Sequence, residues 1–212
     1  MFFPANVNGL PMRRSLYTVK QIFIAINLPS IVANPSSKTQ KCLTTREDWP
    51  KIKPTTPFGQ VPMLEIDGKR IAQSVAICRF LAKKCNLVGK DDLEALEIDA
   101  TVDTIHDVRA KLAAYHYEEN AETKAAKLKV ANEVVPFVLE RLDTQVKNNG
   151  GYFVAGALSW ADLTFVALLD YLNFMYKSDL IEKYDNLKAL KQKVLDIPAI
   201  KDWVAKRPES EC

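Results

Sequence analysis

The chain has 212 residues, 48% of them hydrophobic and 26% charged, with a net charge of +3. That is enough for one large or two small domains with real cores, and no run reaches the ~18 consecutive apolar residues of a membrane span. The charge is unevenly spread: residues 1–91 carry 14 Lys+Arg against 5 Asp+Glu, and residues 92–212 carry 15 against 21. A basic half suits a small acidic ligand, and an acidic half suits the basic half of a second subunit. The basic residues are scattered and not interleaved with aromatics, so the chain is not expected to bind nucleic acid.

The first 44 residues are broken by Pro4, Pro11, Pro29 and Pro35, which exclude long elements. Leu16–Val19 and Lys38–Thr44 read as short strands. Arg13, Arg14 and Lys20 before the apolar run Ile22–Val32 imitate a secretion leader, but Asn27 and Pro29 interrupt that run. Met63–Ile66 and Lys69–Ala72 flank Asp67-Gly68, the strongest short signal for a hairpin because both turn positions tolerate positive φ. Ser74 then opens a helix with Val75, Cys78 and Ala82 on one face, Ile77 and Leu81 beside them, and Lys83 and Lys84 at its end. Asn86–Asp91 reads as a linker.

The rest is helical. Leu93–Tyr117 carries Ile98, Val102, Ile105 and Leu112 on one seam. Glu122–Asn148 repeats the pattern with Leu128, Val135, Val138, Leu142 and Val146, is kinked at Pro136, and stops at Asn149-Gly150-Gly151. Ser159 and Asp162 form a near capping box with Leu158 and Leu163 as a hydrophobic staple. Pro198 begins a last helix carrying Trp203. A short αβ region thus precedes an all-helical one.

The cysteines Cys42, Cys78, Cys85 and Cys212 form no C-x-x-C pair, and His106 and His116 are the two histidines. Neither a zinc site nor a disulfide framework is expected, and reduced thiols point to a cytoplasmic protein. Asp99, Asp103 and Asp107 recur every four residues as an acidic stripe. His106 is the one nitrogen ligand near it, so no metal is expected there.

Three stretches taken together carry a family signature. They are Thr45-Arg46-Glu47-Asp48-Trp49-Pro50-Lys51-Ile52-Lys53-Pro54, then Pro57-Phe58-Gly59-Gln60-Val61-Pro62, then Gln73-Ser74. With Val102-Asp103-Thr104, Ser159-Trp160-Ala161-Asp162 and Pro198-Ala199-Ile200, the order and spacing resemble those of sigma-class glutathione transferases. That class includes the haematopoietic-type prostaglandin D synthase.

The resemblance implies a thioredoxin-like α/β domain over residues 1–84, with 1–44 atypical, and an all-α domain over residues 92–212. It implies glutathione as co-substrate, a small hydrophobic electrophile, and a homodimer. The activity would be conjugation of the glutathione thiolate, with peroxide reduction or prostaglandin isomerisation as further possibilities in the group. The implied contacts are Trp49 and Lys53 for the glycyl carboxylate, and Gln60 and the Val61-Pro62 corner for the cysteinyl backbone. Gln73 and Ser74, at a helix start, would take the γ-glutamyl carboxylate, and Asp107 of the other subunit the α-amino group. Ser74 is also suited to capping its own helix. Tyr115 and its helix would line the electrophile site.

The segment before Thr45 departs from the pattern. Members carry a Tyr that activates the glutathione sulfur, with an Arg a few residues on. Here Tyr17 lies one residue off the expected distance, and Phe23, Ile24 and Ala25 stand where the Arg would be. Ser15 and Thr18 are the alternative hydroxyls. The competing reading is therefore a glutathione-binding or crystallin-like structural relative without the activating Tyr.

Overall fold

The computed structural model describes residues 49–60, 62–66 and 68–206. The expected strands Leu16–Val19 and Lys38–Thr44 lie outside the described residues. A one-turn helix α1 (Trp49–Ile52) runs into a 3-10 turn over Lys53–Thr55, followed by strands β1 (Met63–Ile66) and β2 (Lys69–Ala72). The strands pair antiparallel with Met63 opposite Ala72 and Ile66 opposite Lys69. Gly68, at φ 75°, supplies the left-handed turn position between them; Asp67 lies outside the described residues.

Helix α2 (Ser74–Lys84) follows directly. Its two faces enter different cores. Ile77 and Leu81 join Leu64 of the hairpin, whereas Cys78 and Ala82 join the large helical core. The neighbouring faces read from the sequence are thus one face for each part of the molecule. A linker reaches α3 (Asp92–His116), capped by the Asp91 carboxylate, which accepts from Glu94 N at 2.9 Å. Ile98, Val102, Ile105 and Leu112 are all buried as the seam required. Helix α4 (Ala121–Asn148) starts at Asn120, whose side chain accepts from Thr123 N. Pro136 sits inside it without ending it, and the Pro136 carbonyl accepts from Tyr184 Oη at 3.1 Å. Of the expected seam of α4, Leu128 and Val138 are only half-buried, and Leu139 takes a fully buried place instead.

Helix α5 (Trp160–Tyr176) is the central rod, buried on most sides. Its capping box is present. The fully buried Asp162 carboxylate accepts from Ser159 N and Ser159 Oγ, both at 2.7 Å, and from Phe153 N at 2.9 Å. Helices α6 (Asp185–Leu195) and α7 (Pro198–Lys206) close the fold. The periodicity argument gave no separate helix over 185–195. Its charged residues at 185, 188, 191 and 193 dilute the apolar seam of Leu187, Leu190 and Val194, all of which are buried.

Helix α3 packs chiefly on α4 and α5. Arg79 of α2 ties the hairpin part to this bundle. Its Nε donates to Asp99 Oδ2 at 2.8 Å, and its guanidinium lies 5.4 Å from the Trp160 ring centroid. Trp160 N also donates to Leu87 O at 3.0 Å. No described helix is long and apolar enough to cross a membrane.

Removing the Asp162 carboxylate strands buried donors at both the loop and the helix start. Asp162→Ala is expected to lower the unfolding free energy by about 3 kcal/mol. The readout is a reduced urea midpoint at unchanged slope; an unchanged midpoint would show that water replaces the lost acceptor.

Candidate functional site

The sequence places five candidate residues, Trp49, Lys53, Gln60, Gln73 and Ser74, in two short segments. The first is the Trp49–Gln60 segment. Trp49 is buried. Lys53, expected one helical turn on, falls in the 3-10 turn because α1 stops at Ile52; Pro54 removes the next backbone donor. The turn is held by Thr56, whose N and Oγ1 donate to Lys53 O at 3.2 and 2.8 Å. Gly59, at φ +63°, makes room for the Lys53 stem. A Cβ there would come within 3.3 Å of Lys53 Cε. The lysine backbone and stem are thus fixed while the side chain remains exposed. Gln60 is exposed next to this turn.

The second segment is the β2–α2 junction. Gln73 precedes the helix with φ 83° and ψ 102°, a conformation that side-chain-bearing residues rarely adopt. Such backbone costs about 1–3 kcal/mol and survives only where its surroundings impose it. Gln73 makes no side-chain cap, and Ser74 is the first helical residue. The self-capping role considered for Ser74 is therefore not taken up: a capping side chain must precede the helix, and Ser74 is already inside it. The first intrahelical bond of the junction is Ile77 N to Gln73 O at 3.0 Å. The amides of Ser74, Val75 and Ala76 thus face the helix N-terminus, where anions are favoured.

One contact joins these segments: Arg70 of β2 donates through Nη1 to Thr55 O at 3.0 Å, while its Nε pairs with Glu65 across the hairpin at 2.9 Å. From Arg70 to Gln73 the strand rise is roughly 10 Å, about the span of an extended tripeptide. Pro62 and Gln73 are the residues next beyond the last paired position, Met63 opposite Ala72. The Arg70 contact thus ties the turn that follows Lys53 to the strand leading into the Gln73-Ser74 junction. Val61 and Tyr17, and with Tyr17 the alternatives Ser15 and Thr18, lie outside the described residues.

Asp107 is exposed on α3, outside both segments. The acidic stripe is not uniform. Asp99 is held by Arg79, whereas Asp103 and Asp107 are exposed. Among the described residues no group of three His, Cys, Asp or Glu is placed to hold a metal. Burial pushes the Cys78 thiol up to about 12, so it cannot serve as a thiolate nucleophile. Tyr115, expected to line an electrophile site, is buried with the Lys124 ammonium of α4 5.7 Å from its ring centroid. Tyr117, just past the end of α3, has its Oη 2.8 Å from Tyr171 Oη of α5.

The N-terminal-domain model of the glutathione S-transferase family matches residues 37–83, and its C-terminal-domain model matches residues 106–207. A glutathione S-transferase of Anopheles gambiae is 48% identical over 168 residues, covering 79% of this chain and 83% of that protein. The hematopoietic prostaglandin D synthase of Gallus gallus is 40% identical over 163 residues, covering 77% and 80%. Among solved structures, the prostaglandin synthase D of Nilaparvata lugens superimposes with a TM-score of 0.77 at 36% identity over 96% of each chain.

The chain belongs to the glutathione S-transferase family. Membership makes the fold a thioredoxin-like domain followed by a helical domain, glutathione the co-substrate, and transfer of glutathione to an electrophile the reaction. The crystallin-like alternative draws no support from these relatives, which carry the names of enzymes.

The Arg70 strap and the left-handed Gly59 seat were not anticipated from the sequence. Asp-Gly hairpins and capping boxes have local signatures, whereas a strand arginine reaching a distant carbonyl has none. Strain at Gln73 gives a direct test. Gln73→Gly relieves about 1–3 kcal/mol of backbone strain and adds about 0.4–1 kcal/mol of unfolded-chain entropy. The ligand-free variant is expected to be more stable by about 1 kcal/mol, seen as a higher urea midpoint; a lower midpoint would show that the junction stores no strain.

Proposed function

We propose that the surface bordered by Lys53, Pro62 and Gln73-Ser74 holds glutathione in an extended form, and that the chain conjugates its sulfur to hydrophobic electrophiles in the cytoplasm as a homodimer. The observation that carries this reading is the strained Gln73 beside the open N-terminus of α2, on the strand that Arg70 ties to the turn of Lys53–Thr55.

The division of contacts follows from charge. The γ-glutamyl carboxylate takes the first-turn amides of α2 and the Ser74 hydroxyl, and Gln73 lies beside it. The glycyl carboxylate takes the Lys53 ammonium and the indole of the buried Trp49. The cysteinyl unit lies between them, beside Gln60 and paired to the Val61-Pro62 backbone like an added strand. The two domains are residues 1–84 and 92–212.

Binding alone does not ionise the sulfur. A free thiol has a pKa near 8.5, and each unit of lowering needs about 1.4 kcal/mol of thiolate stabilisation. One hydroxyl donor supplies roughly 1.5–3 kcal/mol as a charged hydrogen bond. Tyr17 is assigned that role.

The homodimer reading rests on two features. Phe58, Leu93 and Leu96 are 71%, 65% and 65% exposed, large apolar side chains that a second subunit would cover. The opposite charge of the two halves favours an antiparallel pair. In that pair Asp107 meets the α-amino group of glutathione held by the partner.

Conjugation of glutathione to chlorodinitrobenzene tests the whole. Lys53→Ala and Asp107→Asn are each expected to raise the glutathione KM about tenfold, one charged contact apiece. Tyr17→Phe is expected to lower turnover roughly tenfold or more at nearly unchanged glutathione affinity. Sedimentation should give twice the chain mass. Unaltered KM in both charge variants would remove the site assignment, and unaltered turnover in Tyr17→Phe would remove that tyrosine from the mechanism.

A further inference from the structure

Most half-buried cations of the bundle have a carboxylate or carbonyl partner. Arg79 has Asp99, Lys127 has Glu118, and Lys124 has the carbonyls of His116 and Glu118. Arg109 has neither. It is half-buried on α3, its Nε has no accessible surface and no hydrogen-bond partner, and no described carboxylate comes within ion-pair distance of it. His106, one turn earlier, repeats the pattern: its Nδ1 is buried and unpartnered. Leaving such groups unmatched costs folding free energy, so their retention calls for a ligand that matches them.

The location can be followed along α3. Asp99, His106 and Ala113 are seven residues apart and share one flank. At its start that flank is tied to α2 through Asp99 and Arg79, and beyond its end Tyr117 is tied to α5 through Tyr171. The loop at 85–91 joins α2 to α3. From the Arg79–Asp99 contact, Ser74 lies roughly 7 Å back along α2 and His106 roughly 10 Å on along α3. The unmatched pair thus sits on the helix that Asp99 and Arg79 tie to α2, the helix that begins at Ser74.

Resting on the reading of the α2 start as part of the glutathione site, we propose that Arg109, with His106 beside it, recognises a carboxylate on the electrophile. The preferred substrates are apolar or aromatic electrophiles bearing one carboxylate at a distance from the reacting carbon. A guanidinium matches a carboxylate in both charge and plane, and a half-buried one is screened little by salt. Burial, and then the Arg109 charge, hold the His106 imidazole below its ordinary pKa against the pull of Asp103 and Asp107. The histidine is thus a neutral hydrogen-bonding partner near pH 7, and the positive charge of the pair belongs to Arg109. Asp103 and Asp107 sit on the exposed side of the helix and form no ion pair with it.

The test uses a matched pair, 4-chloro-3-nitrobenzoate and its methyl ester, with the full chain, Arg109→Met and Arg109→Lys. The ratio of kcat/KM for acid over ester is expected to fall about tenfold in Arg109→Met and by less in Arg109→Lys. Titration with the unreactive pair 4-nitrobenzoate and its methyl ester, read by tryptophan fluorescence, should show the same tenfold loss for the acid. An acid-to-ester ratio that is equal in all three proteins, by turnover or by titration, overturns the proposal. Absence of turnover with chlorodinitrobenzene in the unmodified chain would instead count against the glutathione reading, while the titration still decides the role of Arg109. Circular dichroism confirms that the variants fold, and Arg109→Lys provides the charge-conserving comparison.

Discussion

Helix α2 is the member on which the rest depends, because it is buried on two sides at once. Ile77 and Leu81 belong to the hairpin core, and Cys78 and Ala82 to the helical core. Each fully buried large aliphatic side chain contributes roughly 1.5–3 kcal/mol, so neither part can shift relative to α2 without exposing one set. The first turn of this helix is also the anion-binding end. Fixing the body of α2 fixes the direction of its amides at Ser74, and the strained Gln73 backbone is the consequence of forcing β2 into that helix without a glycine.

The bundle holds the other end of this arrangement through one polar layer. Asp162, with no exposed surface, gathers the 153–159 loop and the start of α5. That fixes Trp160, whose ring lies under Arg79, and Arg79 in turn reaches Asp99. A carboxylate deep in the helical part is thus connected by packed contacts to the helix that begins at Ser74. The connection is one of position: the groups share neighbours, and nothing in them requires movement.

What the sequence disclosed and what it withheld divide along a physical line. Devices whose chemistry lies within a few residues were legible: Asp67-Gly68 predicted the hairpin, Ser159 and Asp162 the capping box, and Asn149-Gly150-Gly151 the end of α4. Seams of period near 3.6 gave the buried faces of α3 and most of α4. Groups that act across long separations were not legible. Arg70 meets Thr55 fifteen residues away, and Arg79 meets Asp99 twenty residues away. Tyr115, given a lining role by the resemblance, is buried with Lys124 of α4 near its ring, and Tyr117 meets Tyr171 of α5, two contacts across distant stretches of chain. The resemblance supplied the glutathione contacts as a set. The structure's own contribution is the Arg70 bond to Thr55 O, which ties the turn after Lys53 to the strand leading into Gln73.

The two sides of the reaction are built by different means, and this has a consequence for specificity. On the glutathione side, the proposed recognition combines side chains, Lys53, Ser74 and Asp107, with backbone: the amides of the α2 start and a proline corner. The backbone part is difficult to alter by substitution, since changing a side chain leaves an amide in place. On the side of α3, the groups available are side chains on a regular helix, where each position can change without disturbing the backbone. Arg109 and His106 occupy such positions, and neither is required by the seam of Ile98, Val102, Ile105 and Leu112 that secures the helix. A fold arranged in this way keeps its co-substrate constant while the electrophile is chosen by a few residues on one helical flank. An unmatched cation on that flank is then a statement about the electrophile, not about stability, because replacing it with an apolar residue of similar length would remove a desolvation cost and leave the core as it is.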